Sequence, residues 1–149
     1  MSSIVRWSAG ALLLAYVVVL GYVLLTPEGS VPSGLVVDAM TVGERLGLPD
    51  RVVQQERVEF GLNVLAFVPL SFLGSLCVRS VSVSTWTAGA FVSSLLVEAY
   101  QTTMPERMAA HSDVVANTAG AGIGAVVALA LTLPFRGPAS ERRADLADR

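Results

Sequence analysis

Apolar residues fill four long stretches of this chain, and polar residues collect between them. The stretches cover about residues 7–25, 58–78, 82–101 and 113–133. Each is close to the roughly 20 residues that an α-helix needs to cross the hydrocarbon part of a bilayer. The pattern therefore predicts an all-α membrane protein built as a bundle of four transmembrane helices.

The first stretch could also be the apolar core of a signal peptide. It runs without interruption from Trp7 to Leu25, whereas the core of a signal peptide is usually only about 7–15 residues long. No convincing cleavage site of small residues follows it. We therefore expect this stretch to remain in the chain as the first span.

Residues 26–57 mix apolar and polar positions instead of forming a span. Apolar or small residues recur there at intervals of three or four, which is the spacing of one helix face: Val36, Met40, Gly43 and Leu46. This spacing predicts a short amphipathic helix that lies on the outer membrane surface, with an ordinary loop as the alternative. Asp50 is predicted to cap a helix that continues into the second span, and Ser112 is predicted to cap the helix of the fourth span.

Composition supports a membrane protein and excludes several other classes. Hydrophobic residues make up 53% of the chain and charged residues 15%, which leaves too little charge for the surface of a soluble domain. All 10 basic residues are arginine, and they form no basic patch with aromatic residues of the kind that binds nucleic acid. Cys77 is the only cysteine, so an internal disulfide and a thiolate metal cluster are both excluded.

The arginines predict the orientation of the chain. If the N-terminus is inside, the inner segments contain Arg6, Arg79, Arg136, Arg142, Arg143 and Arg149. The arginines of the outer segments are largely balanced by carboxylates. By the positive-inside rule, both termini are then cytoplasmic. The membrane domain would cover residues 1–135, and residues 136–149 would form a charged, disordered cytoplasmic tail.

With this orientation, the polar side chains of the last three spans lie at one depth, in the outer half of each span. The polar residues that are predicted to lie within the bilayer are Asn63, Glu98, Gln101, Asp113 and Asn117. Ser94 shares one helix face with Glu98 and Gln101. Polar and ionisable side chains are costly inside a bilayer and usually face a bundle interior or a wet cavity. The sequence therefore predicts a polar pocket in the outer leaflet, beneath Arg107 and His111.

Each pocket residue also has a purely structural interpretation. Glu98 could carry a proton, act as a general acid or base, or bind a cationic head group; alternatively, it forms an ion pair with Arg107. Asp113 lies in the first turn of its helix, where the helix dipole alone favours a carboxylate. For Asn117 we favour a hydrogen bond between helices, with ligand contact second.

Two residues of the loop before the fourth span could complete the pocket. Arg107 could hold a phosphate or carboxylate through two parallel hydrogen bonds, and pairing with Glu106 is the alternative. His111 would need Glu98 and Asp113 to make a metal site of three ligands, which we do not expect. We predict no bound metal and no cofactor.

Small residues follow one face of the fourth span at intervals of four: Ala116, Gly120, Gly124 and Ala128. Such a stripe lets a second helix approach closely, so we predict a packing surface. The string GAGIG within it is not a nucleotide-binding loop, because it follows no strand and lies inside a span.

The spacing of these residues resembles the VanZ-like family of small integral membrane proteins. The resemblance covers about residues 7–133, and its matching elements are Asn63-Val-Leu-Ala-Phe-Val-Pro69-Leu, Glu98-x-x-Gln101, Arg107, Asp113, Asn117, Gly120 and Gly124, with the Leu-Thr-Pro27 that ends the first span. Ser71 departs from the pattern, because the family commonly has glycine after Pro-Leu. The resemblance implies a role in resistance to teicoplanin-type lipoglycopeptide antibiotics, and it brings no biochemical mechanism.

Three functions are compatible with the sequence. The one we favour is a polar outer-leaflet pocket that binds an amphiphile, namely an anionic lipid, a cell-wall precursor or the lipoglycopeptide itself. The second is a membrane enzyme that modifies a lipid-linked substrate, with Glu98 or Asp113 as acid or base, although no nucleophile motif is present. The third is an assembly subunit whose small-residue stripe packs against a partner protein.

The arginine-only basic set and the Ala/Val-rich spans fit a bacterium with GC-rich codons, so we expect a bacterial cytoplasmic membrane.

Overall fold

The computed structural model describes residues 3–25, 30–103 and 111–135, and these ranges contain five α-helices and no strand. The helices are α1 (Ser3–Leu25), α2 (Ser30–Arg45), α3 (Gln55–Cys77), α4 (Val83–Gln101) and α5 (His111–Thr132), and the 3₁₀ turn Leu133–Phe135 follows α5. The all-α class predicted from the sequence is confirmed. The predicted tail and the loop residue Arg107 lie outside the described residues.

Three of the described helices, α1, α3 and α5, are long and apolar enough to cross a membrane. The sequence pattern predicted four such helices, and the count of four is not confirmed. The fourth helix of the prediction is α4, a 19-residue helix that contains several serines and threonines and one glutamate. The most apolar 18-residue stretch of α4 is therefore less hydrophobic than the corresponding stretches of the other three helices.

The short helix predicted between the first two spans is present as α2, and its end is defined by Gly47. This glycine has a φ of 70°, and its N–H donates to the carbonyl of Glu44 while the N–H of Leu48 donates to that of Gly43, both at 3.0 Å. This pair of bonds is the Schellman motif. Leu46 consequently lies beyond the helix and is 73% exposed, whereas Val36 on the same predicted face is buried.

The predicted caps of α3 and α5 are wrong. Asp50 lies in a turn, where its carbonyl accepts from the N–H of Val53, and α3 begins only at Gln55. The turn brings the side chain of Val53 against Gly43 of α2, so packing between these segments decides where the helix begins. Ser112 does not cap α5, because α5 already includes His111.

Helices α3 and α5 form the closest pair and run parallel. The carbonyl of Val64 lies against Gly120, and that of Val68 lies against Gly124 one turn further along both helices. All four residues of the predicted small-residue stripe are buried, and Ala116 is fully inaccessible to solvent. At its two glycines, the stripe therefore packs against α3 of the same chain.

The other two long helices run antiparallel to this pair. On α4, Ser94 bonds to Asn117 of α5 and Thr87 lies beside Gly122. On α1, the Tyr16 hydroxyl donates to the carbonyl of Ala66 in α3. We call the end of the bundle that contains Leu24, Gln101 and His111 the Gln101 end, and the end that contains Arg6, Arg79 and Thr132 the Arg79 end.

Replacing Tyr16 by phenylalanine should lower the free energy of unfolding slightly. The hydroxyl donates to the Ala66 carbonyl over 2.6 Å, and an interhelical hydrogen bond in a membrane protein contributes about 0.6 kcal/mol on average, with a maximum near about 1.7 kcal/mol. Denaturant titration of purified protein in detergent measures the difference. Tyr100→Phe is the matched control, since that side chain is 49% exposed. Equal stability of the two variants would contradict a contribution from the Tyr16 bond.

Candidate functional site

A buried hydrogen bond between two polar side chains joins α4 and α5 near the Gln101 end. The Nδ2 of Asn117 donates to the Oγ of Ser94 over 2.6 Å. Relative exposure is 3% for Ser94 and 5% for Asn117, so both side chains are buried. Asn117 therefore makes the kind of interhelical bond that its position suggested.

The other polar atom of the Asn117 side-chain amide has no hydrogen-bond partner among the described residues. Its Oδ1 is buried and accepts no hydrogen bond from any described residue. Buried carbonyl oxygens nearly always have a donor, and one without a donor costs about 1–3 kcal/mol. Exchanging the amide oxygen and nitrogen would not remove the problem, because Nδ2 would then be the unpaired atom. The amide thus presents one unused hydrogen-bonding atom inside the helix bundle.

Two carboxylates lie one helical turn closer to the Gln101 end than this pair. Glu98 follows Ser94 by four residues on α4, and Asp113 precedes Asn117 by four residues on α5. Because α4 and α5 run antiparallel, both carboxylates lie at about the same level of the bundle. Both side chains are half-buried. We call Ser94, Glu98, Asp113 and Asn117 the polar cluster.

Gln101 has a different role in the structure from the other predicted pocket residues. Its side chain is buried, and its Nε2 donates to the carbonyl of Leu24 over 3.0 Å. Leu24 lies in the last turn of α1, where helix carbonyls have no helical donor. Gln101 thus ties the end of α4 to the end of α1.

Asn63 lies on α3, outside the polar cluster. It is half-buried, and its neighbour Val64 lies against Gly120, so it is about half a helical turn further from the Gln101 end than Asn117. Its side chain makes no hydrogen bond with the residues that the structure describes. His111 is exposed, and no three His, Cys, Asp or Glu side chains of the described ranges are grouped to hold a metal.

Two serines outside the predicted pocket are buried at contacts between helices. Ser94 is the partner of Asn117, and the signal for it was its position on the same helix face as Glu98 and Gln101. Ser71, which departs from the family pattern, is the most buried polar residue at 1% exposure. Its Oγ lies where a Cβ on Gly124 would be, so this serine fills space at the contact between α3 and α5.

These features define the class: an all-helical protein with apolar helices suited to a membrane and a polar cluster between two of them. The chain belongs to the VanZ/LLP1 family, whose sequence model matches residues 13–132. The match includes the polar cluster and the small-residue stripe, and it confirms the resemblance predicted from the sequence. Comparisons with curated proteins and with solved structures gave no significant match.

Proposed function

We propose that α4 is a fourth transmembrane helix and that the chain is a four-span protein of a bacterial cytoplasmic membrane. At 1.5 Å per residue, 19 residues extend about 28 Å, close to the thickness of the hydrocarbon core. The exposed side of α4 is apolar, with Val92 at 54% and Leu96 at 67% exposure. The hydroxyl of Thr87 donates to the Val83 carbonyl of its own helix over 2.9 Å, and such internal bonds make a hydroxyl tolerable in lipid.

The proposed orientation places the Gln101 end outside. Arg6 and Arg79 both lie at the opposite end, and arginines next to spans are enriched on the cytoplasmic side. Both termini are then cytoplasmic, with α2 on the outer surface. The polar cluster then lies within the outer leaflet.

The polar cluster is the proposed binding site for the polar part of an amphiphile. The observation that carries this proposal is the buried Asn117 oxygen, which has no donor among the described residues. An amide, hydroxyl or amine of a ligand would supply that donor, and the neighbouring carboxylates would attract a cationic group. Cell-wall precursors and lipoglycopeptides both contain such donors next to a lipid tail. Arg107 remains a predicted contact for phosphate or carboxylate.

Antibiotic susceptibility tests this function. Expression of the chain in a sensitive bacterium is expected to raise the inhibitory concentration of teicoplanin and not that of vancomycin, which lacks the acyl tail. Glu98→Gln and Asp113→Asn are expected to abolish the protection at equal membrane abundance. Glu56→Gln, which neutralises an exposed carboxylate in the first turn of α3, is the matched control and should protect like the wild type.

Failure of the well-inserted wild type to protect would overturn binding of the lipoglycopeptide. Protection that survives both carboxylate variants would overturn the polar cluster as the site. An enzyme would instead show turnover of a lipid-linked substrate that Glu98→Gln removes. The assembly hypothesis is less well supported, because it assigned the small-residue stripe to a partner protein, and Gly120 and Gly124 contact α3 of the same chain.

A further inference from the structure

A polar cavity lies at the Arg79 end, opposite the polar cluster. It measures about 340 Å³ and opens between the end of α3, the turn into α4, and α5. Its polar lining residues are Ser75, Arg79, Ser80, Ser82 and Thr132. This volume is about ten times the roughly 30 Å³ that one water occupies in the liquid, and it falls in the range of small-ligand sites.

The lining of this cavity is suited to an anion. Among the residues that the structure describes, Arg79 is its only charged residue, and every other polar lining side chain is a hydroxyl. The guanidinium of Arg79 makes no hydrogen bond or ion pair with the residues that the structure describes. The cavity therefore combines a positive charge with hydroxyl donors, and none of its described lining residues is a carboxylate.

The start of α4 adds backbone donors to the same cavity. Ser82 is the N-cap, and its Oγ accepts from the N–H of Thr85 over 3.1 Å. The amides of the first turn before Thr85 have no helical acceptor, and Val83, the first helical residue, lines the cavity. A helix N-terminus favours negative charge because of its free N–H groups and its dipole.

An unpaired buried hydroxyl gives an independent indication of a ligand. The Oγ of Ser75 is buried and has no hydrogen-bond partner among the described residues, and Ser75 lines the cavity. A serine inside a helix normally donates to a carbonyl of the preceding turn, as Ser71 does to Phe67 over 3.3 Å. Ser75 departs from that pattern, so a residue of the cavity wall carries a hydroxyl that no described group engages.

We propose that this cavity binds a phosphate group. Arg79 pairs with two phosphate oxygens, the Ser75 and Ser80 hydroxyls donate to the others, and the α4 N-terminus stabilises the remaining charge. A phospholipid head group and a soluble phosphate compound share this chemistry. The α5 side of the cavity is apolar, with Ala128 and Leu129, so it would accept the first part of an acyl chain.

Calorimetric titration of the full-length protein in detergent tests the proposal with three probes: dioctanoyl phosphatidylglycerol, inorganic phosphate, and dioctanoylglycerol, which lacks phosphate. We expect a phosphate-bearing probe to bind, dioctanoylglycerol not to bind, and Arg79→Gln to weaken binding about tenfold or more. Binding of the phospholipid alone identifies a lipid head group, and binding of inorganic phosphate identifies a soluble compound. Arg57→Gln, at the opposite end of α3, is the matched control and should bind like the wild type.

Ser75→Ala separates a ligand contact from a structural role. Because the hydroxyl is unpaired in the described structure, its removal should leave the denaturation midpoint of the ligand-free protein unchanged or raised. The same variant should weaken phosphate binding severalfold. The proposal is overturned if no phosphate-bearing probe binds, if dioctanoylglycerol binds as tightly as the phospholipid, or if folded Arg79→Gln keeps full affinity.

Discussion

Replacing Gly120 or Gly124 by alanine is expected to lower the free energy of unfolding by about 3 kcal/mol and to reduce the amount of folded protein in the membrane. An added Cβ at either position would overlap a backbone carbonyl of α3, that of Val64 for Gly120 and that of Val68 for Gly124. A flexible side chain could move away, but a carbonyl moves only with its helix. Overpacking usually costs about 1–3 kcal/mol and occasionally more, and we expect the upper part of that range here because two helices must separate.

Membrane abundance by immunoblot and the denaturation midpoint in detergent measure this effect. Gly122→Ala is the matched control in the same helix, since its added Cβ would lie 3.4 Å from the Thr87 Oγ1, an ordinary contact. Alanine there also removes the cost of glycine in a helix, about 1 kcal/mol. The control should thus be as stable as the wild type or more so. If Gly120→Ala accumulated and denatured like Gly122→Ala, the close α3–α5 contact would be wrong.

Removing the Ser94–Asn117 pair altogether is expected to abolish teicoplanin protection while leaving the fold nearly as stable as before. Asn117→Leu alone deprives the buried Ser94 Oγ of its donor and should destabilise the protein by about 1–3 kcal/mol. The double variant Ser94→Ala/Asn117→Leu leaves no unpaired polar atom at this contact. Such double replacements can be neutral or stabilising, so its stability should return toward that of the wild type.

Loss of protection without loss of stability distinguishes a ligand contact from a bond that only holds the helices together. Susceptibility to teicoplanin and the denaturation midpoint are measured on the same set of variants. Thr87→Val removes a hydroxyl of α4 that bonds only to its own helix, and it should keep full protection. A double variant that is stable and still protects would show that Asn117 serves only the contact between the helices.

Much of the architecture follows from the sequence because lipid imposes simple requirements on a chain. A backbone that crosses a bilayer must satisfy its own hydrogen bonds, so an apolar run of about 20 residues has the helix as its only solution. The predicted spans at 7–25 and 113–133 accordingly differ from α1 and α5 by only a few residues. The start of α3 was missed because Val53 packs against Gly43 of α2, a contact that no periodicity reveals.

The polar residues show the limit of this reasoning. Helical spacing correctly grouped Ser94, Glu98 and Gln101 on one face, but it could not tell which neighbour each would meet. Gln101 bonds to Leu24, which is 77 residues away, and Ser94 bonds to Asn117. A face of one helix is a local property, whereas a hydrogen bond between helices depends on the register of two distant segments.

The sequence by itself determined that this protein is helical, suited to a membrane and a member of the VanZ/LLP1 family, because hydrophobic run length and residue spacing are encoded locally. Only the tertiary structure decided that the two glycines of the small-residue stripe pack against α3. It also decided that the Asn117 oxygen has no donor among the described residues. It alone assembled the cavity beside Arg79 from residues 75–83 and 125–132. Such features arise where helices pack, and they depend on which side chains fill the space between them.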